Sequence, residues 1–381
     1  MWHRRKTDQK ESFEVSRHVE DVRTFLGLHR SQITITIRMV TKKDRESRDT
    51  QKHEPKPTGH LLEVHGIKSG EIAYNPAVIV QKNIKKIVHG VNIIAARVES
   101  LNSHWLDPKL YDPHVVFFIQ QDDVLVPIPN TPVFHKFEDP WATWLSDSND
   151  KPQLLFGGVK IDFNGKTPVV KTQFYLASSV QELDVDHPIA EIRSMKDVRV
   201  AQLQTGKIAV FTRPTTDEAF PGRIGFTIIN NIQDIGKAVG YAKLLKFNLD
   251  ENAKIGANEA YAITKRESTG VLKESIHVCC HVATTDPIKQ DGNEIFDFEK
   301  GPIHYAGYQF ELNPNNPYDD IIALHKIADR SDFPVNNKSS KGERFDDVIF
   351  PGGTGGPKET QYFTGVEDAR IGVIDMRTII R

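Results

Sequence analysis

From Leu61 onward, short apolar runs alternate with clusters of turn residues. The runs include 77–80, 93–96, 115–119, 154–159, 198–203, 208–211, 224–229, 276–282, 305–312, 321–327, 348–350 and 371–374. Each is roughly four to eight residues long, the length of a strand rather than a helix. Gly-Gly, Asn-Gly, Thr-Gly, Pro-Gly and Asn-Pro pairs separate them,. Helical periodicity is scarce, and 235–247 is the best candidate for a helix. The pattern predicts an all-β domain. Asp139, Asp197 and Asn258 recur next to strand starts at intervals of about 60 residues, and Asp368 is placed with them,. That period suits propeller blades with long loops, so 60–381 would hold about five blades. A sandwich would need tighter, more even turns.

Residues 1–57 break the pattern. They carry about 14 Lys/Arg against about 9 Asp/Glu, and 41–57 is nearly all polar,. They are expected to form an extension, partly disordered, ahead of a catalytic domain at 58–381. Within it, 15–28 has some helical periodicity and 33–40 alternates like a strand,.

Over the whole chain of 381 residues, 49 basic and 51 acidic residues leave a net charge of -2, which argues against a nucleic-acid partner,. No apolar run is long enough to span a membrane, and no apolar segment follows the charged Met1-Trp2-His3-Arg4-Arg5-Lys6,. Neither a membrane partner nor a secretory signal is expected. Cys279 and Cys280 are the only cysteines, adjacent and in an apolar run. That is poor disulfide geometry, so two reduced thiols and a cytoplasmic location are expected.

Five local constellations carry polar chemistry: Tyr74-Asn75-Pro76-Ala77, Ala96-Arg97-Val98-Glu99, Phe137-Glu138-Asp139-Pro140-Trp141, the pair Met195-Lys196-Asp197-Val198-Arg199 and Phe211-Thr212-Arg213-Pro214, and the run from Lys254 to Tyr261 followed by His277 and His281. Taken singly, each has a structural explanation. Asn-Pro and Asp-Pro start turns, and Lys or Arg beside Asp forms solvated ion pairs. Together they gain weight, because a propeller gathers its inner strands round one funnel. Carboxylates and amides there suit a sugar, and Arg199, Arg213, Lys254 and His281 suit an oxyanion. No spacing fits a metal site, and there is no nucleophile elbow, Walker loop or dinucleotide fingerprint,. No metal and no cofactor are expected. The Gly-rich run at 351–356 reads as a blade loop.

Several motifs occur in an order seen in a known family: Met195-Lys-Asp-Val-Arg199, Gly206-Lys-Ile-Ala-Val-Phe-Thr-Arg-Pro214, Gly222-Arg-Ile-Gly-Phe226, Gly256-Ala-Asn-Glu259, Ile303-His-Tyr305, Ile327-Ala-Asp-Arg-Ser-Asp-Phe-Pro334, Asp347-Val-Ile-Phe-Pro-Gly-Gly353 and Tyr362-Phe-Thr-Gly-Val-Glu-Asp368. From Leu61 to Arg381 the chain resembles the domain-of-unknown-function family 1861, also classed as glycosyltransferase family 108. That family is similar to the β-mannoside phosphorylases of glycoside hydrolase family 130. The resemblance implies a five-bladed β-propeller that acts on β-1,2-linked mannans. Its partners would be a β-mannooligosaccharide with inorganic phosphate, mannose 1-phosphate or GDP-mannose.

By resemblance, Asp139 is the general acid, and Asn75, Arg97 and Asp368 bind the sugar. Lys196, Asp197, Asn258, Glu259 and Tyr261 also line the substrate. Arg199, Arg213, Lys254 and His281 bind phosphate. Glu138 stands where an amide is common, Trp141 where Phe is usual, and Cys279-Cys280-His281 replaces a Leu-Gly-His-like run. The expected reaction is a single inverting displacement, as phosphorylase, mannosyltransferase or both. Two alternatives stay open: a hydrolase in which Glu138 or Glu259 activates water, and a non-catalytic carbohydrate-binding propeller.

Overall fold

The computed structural model describes residues 59–375 except the short segments 81–91, 104–106, 148, 166, 215–221, 239, 267–271, 291–292, 299, 335–339 and 356–360. The extension expected at 1–57, with its helical and strand-like stretches, lies outside the described residues. Strands dominate what is described, as the apolar runs predict. Among the described residues no helix is long and apolar enough to cross a membrane.

The strands follow one another as antiparallel meanders. Glu71–Val80, Asn92–Ser100, His114–Gln121 and Val124–Pro127 pair in order within one sheet. Phe137–Ser146, Pro152–Asn164, Thr167–Ala177 and Ala190–Arg193 form the next. Met195–Gln202, Ile208–Pro214, Gly225–Ile229 and Lys243–Leu244 form a third. Lys254–Arg266, Leu272–Thr285, Ile303–Leu312 and His325–Ala328 pair next, and two parallel pairs, His304 with Asp347 and Tyr305 with Val348, join them to Asp347–Gly355. That last group continues through Gln361–Val366 and Arg370–Asp375 and ends on Gly59–Leu61, which enters from the other end of the described chain.

The first strand of each group lies against the first strand of the next, and Asp347–Gly355 lies against Glu71–Val80. The five strands thus close a ring. Apolar cores fill the gaps between successive sheets. Phe117, Phe134 and Phe156 meet in one, Trp141, Phe174 and Val210 in the next, and Phe211, Val278 and Phe310 in a third. Cys280 belongs to that third core and Cys279 to the neighbouring one with Ile349 and Tyr362. Adjacent strand residues face opposite sides of a sheet, so the two free, buried thiols point apart,.

Three expectations are corrected. The helix expected at 235–247 is a single turn, Ile235–Ala238, after which Lys243–Leu244 pairs as an edge strand. Gly236 and Gly240 fall inside the expected span, and glycine is a poor helix former,. The apolar run at 321–327 becomes a strand only at His325–Ala328, while Ile322 makes an isolated bridge to Phe247. The Gly-rich run is not a loop: its described part belongs to the inner strand Asp347–Gly355. Glycine is required there because a Cβ on Gly352 would strike the Pro76 carbonyl of the first group.

Candidate functional site

Each of the five ring strands carries one β-bulge at the same level. The register shifts between Tyr74 and Ala77, Glu138 and Trp141, Lys196 and Arg199, Ala257 and Glu259, and Pro351 and Gly353. A bulge re-aims the side chain it carries. Asn75, Asp139 and Asp197 occupy the first three with φ of 47°, 47° and 48°. Asn and Asp tolerate this left-handed conformation better than other side-chain-bearing residues, which is the local reason for the repeat. The fourth bulge holds Asn258, and glycine occupies the fifth. Asp368 is not the fifth member of this repeat. It sits with φ 52° in the turn between Gln361–Val366 and Arg370–Asp375.

The bulges gather two groups of side chains. In the first, Asn75 Nδ2 donates to Asp139 Oδ1 at 2.8 Å, and Arg97 NH1 lies 3.8 Å from the same oxygen. Arg97 NH2 is shared between Glu99 Oε2 at 2.8 Å and Glu138 Oε1 at 3.0 Å. The Tyr111 hydroxyl donates to Glu138 at 2.8 Å, and Lys196 Nζ stands 3.7 Å from Glu138 Oε2. Glu99 also accepts from the Tyr74 hydroxyl and from Lys341 Nζ. Burial would raise the Glu99 pKa, but Arg97 and Lys341 hold it down to about 2. Asp368 is half-buried and shares this field. Burial raises its pKa, Lys341 and Arg97 pull it down, and Asp139 and Glu99 push it up, with a net rise.

In the second group, buried Asp197 is paired with the Arg213 guanidinium. Burial alone would raise Asp197, yet Arg213, His281 and Arg199 hold it at about 2. His281 Nδ1 lies 2.8 Å from Asn258 Oδ1, and Arg213 NH1 lies 3.5 Å from His281 Nε2. An amide oxygen only accepts, so Nδ1 is the donor and Nε2 the acceptor, the arrangement of a neutral imidazole. Burial takes His281 down to about 4 despite Asp197. Near neutral pH it is therefore a hydrogen-bonding group and not a cation. Its ring stacks on Tyr305 at 5.2 Å between centroids. The two groups share one field, since the Asp139 charge acts on Arg97, Arg199, Arg213, His281 and Tyr305.

Of the remaining expected residues, Arg199 borders the second group, and Glu259 and Tyr261 line a cavity beside it. Arg199 is buried, donating from Nε to the Asn258 carbonyl and from NH1 to the Val198 carbonyl at 3.0 Å, with its guanidinium over the Trp141 ring. It lines a cavity bordered by Val78, Ala142, Asn258 and Gly352, which come from the ring strands beyond or at the bulges. Glu259 accepts from Thr354 N at 3.0 Å, and with Tyr261, Trp144 and Thr354 it lines the adjoining cavity. Tyr261 stacks on His277. Lys254 Nζ stands 4.0 Å from the centroid of the Phe298 ring.

The residues chosen from sequence do not include Tyr74, Glu99, Tyr305, Tyr111 or Lys341, and Glu138 enters there only as a candidate to activate water. Tyr74, Glu99 and Tyr305 stand inside polar or family motifs of the sequence. Tyr111 and Lys341 belong to none, and only the fold brings them to the site.

The family described as "Protein of unknown function (DUF1861)" matches residues 50–378. The chain belongs to that family. Every residue of the two groups falls inside the matched region. No curated protein matches. Among solved structures, the chain is similar to a mannose phosphorylase from Leishmania mexicana in complex with a phosphate ion, at 24% identity over 84% of this chain and 87% of that one, TM-score 0.63. A GDP-Man-dependent mannosyltransferase from Leishmania mexicana is similar at 21% identity over 83% and 88%, TM-score 0.60. A hypothetical protein from Leishmania major is similar at 23% identity over 83% and 88%, TM-score 0.60. At such identities the likeness establishes the fold that this DUF1861 member shares with them.

Proposed function

We propose that this chain is a mannosyl-transferring enzyme: an inverting β-mannoside phosphorylase, a mannosyltransferase, or both, acting on β-1,2-mannan with mannose 1-phosphate or GDP-mannose. In this reading each ring strand is the innermost strand of a blade in a five-bladed propeller, and 58–381 is the catalytic domain. The two reduced thiols fit a cytoplasmic enzyme.

One observation carries the reading. A bulge-mounted carboxylate, Asp139, is held by Asn75 and Arg97 and faces a second group containing Arg213 and His281. Phosphate held at Arg213, its P–OH donating to His281 Nε2, attacks the anomeric carbon of a terminal β-mannosyl unit. The glycosidic C–O bond breaks, and Asp139 gives its proton to the departing oxygen, directly or through the mannose 3-hydroxyl. The product is α-mannose 1-phosphate, and the reverse reaction transfers mannose to an acceptor. With GDP-mannose as donor, the same cations stabilise the departing diphosphate. Asn75, Arg97, Lys196 and Asp368 surround the sugar. Arg199, Asp197 and Asn258 support the phosphate side from behind, and Lys254 contributes from its rim.

An inverting hydrolase needs a second carboxylate to activate water. Glu138 accepts from Tyr111 and pairs with Arg97, and Glu259 accepts from Thr354. Those engagements favour phosphate as the nucleophile.

The test is phosphate-dependent breakdown of β-1,2-mannobiose by wild type and Asp139→Asn. Wild type should release mannose 1-phosphate, and the variant should lose about 10²- to 10⁴-fold in kcat, the range for a general acid. Free mannose formed equally without phosphate would mean hydrolysis. No product from mannobiose, mannose 1-phosphate or GDP-mannose would leave a binding propeller.

A further inference from the structure

Lys341 lies outside every strand and every sequence motif, yet it is among the most engaged side chains of the cleft. It precedes Gly342, whose φ is 103°, in the connection that leads into Asp347–Gly355. From there it crosses to the first group of strands. Its Nζ donates to Glu99 and to the Tyr74 hydroxyl and stands 4.2 Å from the Tyr74 ring centroid. The side chain is only 14% exposed. A flexible ammonium held this closely gives up considerable rotamer freedom, so the contacts must return it.

Glu99 is the hub of what Lys341 holds. It takes Arg97 through both Nε, at 3.2 Å, and NH2, at 2.8 Å. With Glu138 on the other side of NH2, the guanidinium is fixed in orientation and its NH1 is left toward Asp139. Asp368 closes the circle from the turn after Gln361–Val366. The charged and titratable groups acting on it are Lys341, Arg97, Asp139 and Glu99, and it acts in turn on Tyr74 and Tyr305. Three carboxylates, Glu99, Glu138 and Asp139, therefore converge on three cations, Arg97, Lys196 and Lys341, and Asp368 feels the charges of Lys341 and Arg97. The phosphate side has its own separate pair, Asp197 with Arg213.

Resting on the reading above, we propose that Lys341 is a positioning residue for the sugar half of the cleft. It fixes Glu99, through Glu99 the Arg97 guanidinium, and it keeps Asp368 available as an acceptor for sugar hydroxyls. Its influence stops short of the phosphate half. The sign of its pH effect follows from charge. Asp368 already titrates above the ordinary carboxylate range, and Lys341 opposes that rise. Without Lys341, Asp368 protonates at higher pH and sugar binding is lost earlier as pH falls.

The experiment compares wild type, Lys341→Met and Lys341→Arg in phosphorolysis of β-1,2-mannobiose, with the KM for sugar and for phosphate measured separately from about pH 5 to about pH 8. Mannose binding is measured by calorimetry over the same range. For Lys341→Met, the sugar KM should rise about 10-fold with an unchanged phosphate KM, and the acid limb of sugar kcat/KM should move up by about half a pH unit or more. Lys341→Arg should recover most of the loss, since it keeps the charge. Equal losses for both substrates, or a lowered Tm with the pH limb unmoved, would overturn the proposal and leave Lys341 a structural tie. If wild type turns over no mannosyl substrate but binds mannose, and Lys341→Met weakens that binding with the same pH shift, the catalytic reading fails and the role of Lys341 stands. Unchanged mannose binding in Lys341→Met would sink the role of Lys341 whatever the activity.

Discussion

The same residues serve the backbone and the chemistry. Asn75, Asp139 and Asp197 sit in the left-handed region at their bulges, where a β-branched or aromatic residue would be strained,. Their side chains are then re-aimed to the common centre. Pairing decides how each behaves there. Arg213→Met would leave the buried Asp197 carboxylate without its main counter-charge. A loss of about 3–5 kcal/mol in urea denaturation is expected, with much of it recovered by adding Asp197→Asn. His281 gives a distinct signature. Its pKa falls from an ordinary 6.5 to about 4 in the folded chain. The unfolded chain therefore binds the extra proton first. Stability should decline as pH drops through about 6.5 toward about 4, by up to about 3 kcal/mol. His281→Asn should flatten that stretch of the curve while keeping the hydrogen-bond partner of Asn258. Below it, Glu99 and Asp197, both held at about 2, contribute stability that is lost only as pH falls from about 4 toward 2,.

Among elements, the ring strands are held edge to edge by polar clasps at or near the bulge level. Asn75 meets Asp139, Lys196 approaches Glu138, Arg199 meets the Asn258 carbonyl, and Glu259 meets Thr354. Between the last strand and the first, close backbone approach takes the place of a side-chain clasp, with Gly352 against the Pro76 carbonyl. Because backbone cannot rotate away, Gly352→Ala must push Asp347–Gly355 off Glu71–Val80. A loss of about 1–3 kcal/mol is expected in urea denaturation. Under the proposed function, mannobiose KM should rise as well, since Asn75 precedes Pro76. A wild-type Cm and KM in that variant would show that the two strands have room to separate. The apolar runs announced three of these five strands, through 77–80, 198–203 and 348–350, and named none inside Phe137–Ser146 or Lys254–Arg266. They did not announce the bulges, because a bulge depends on pairing with a partner strand as well as on composition. The expected helix at 235–247 failed for a related reason: its edge residues found strand partners.

Across the whole molecule, closure depends on residues far apart in the chain. Gly59–Leu61 pairs with Gly372–Ile374, and Leu62 N donates to the Ile371 carbonyl. Polypeptides beginning at residue 50 and at residue 63 separate this contribution. The shorter one should melt several degrees lower, because it exposes the edge of Arg370–Asp375 and part of the core with Leu62, Phe363 and Val373,. Equal melting temperatures by calorimetry would mean that the last sheet holds without its closing strand.

The sequence by itself determined the all-β class, many of the strand positions, the recurring Asn and Asp, and the motifs whose family resemblance singles out Asp139, Arg97, Arg213 and His281. These are local properties, written in apolar length, turn residues and spacing. Tertiary structure decided the rest. It set Glu259 and Tyr261 on the wall of a cavity, made His281 neutral by burial, and turned a Gly-rich run into a strand. It also brought in Lys341 and Tyr111 from segments with no motif. The physical reason is that burial, charge pairing and close backbone approach arise between strands that meet only when the ring closes, and no run of neighbouring residues encodes which strand will face which.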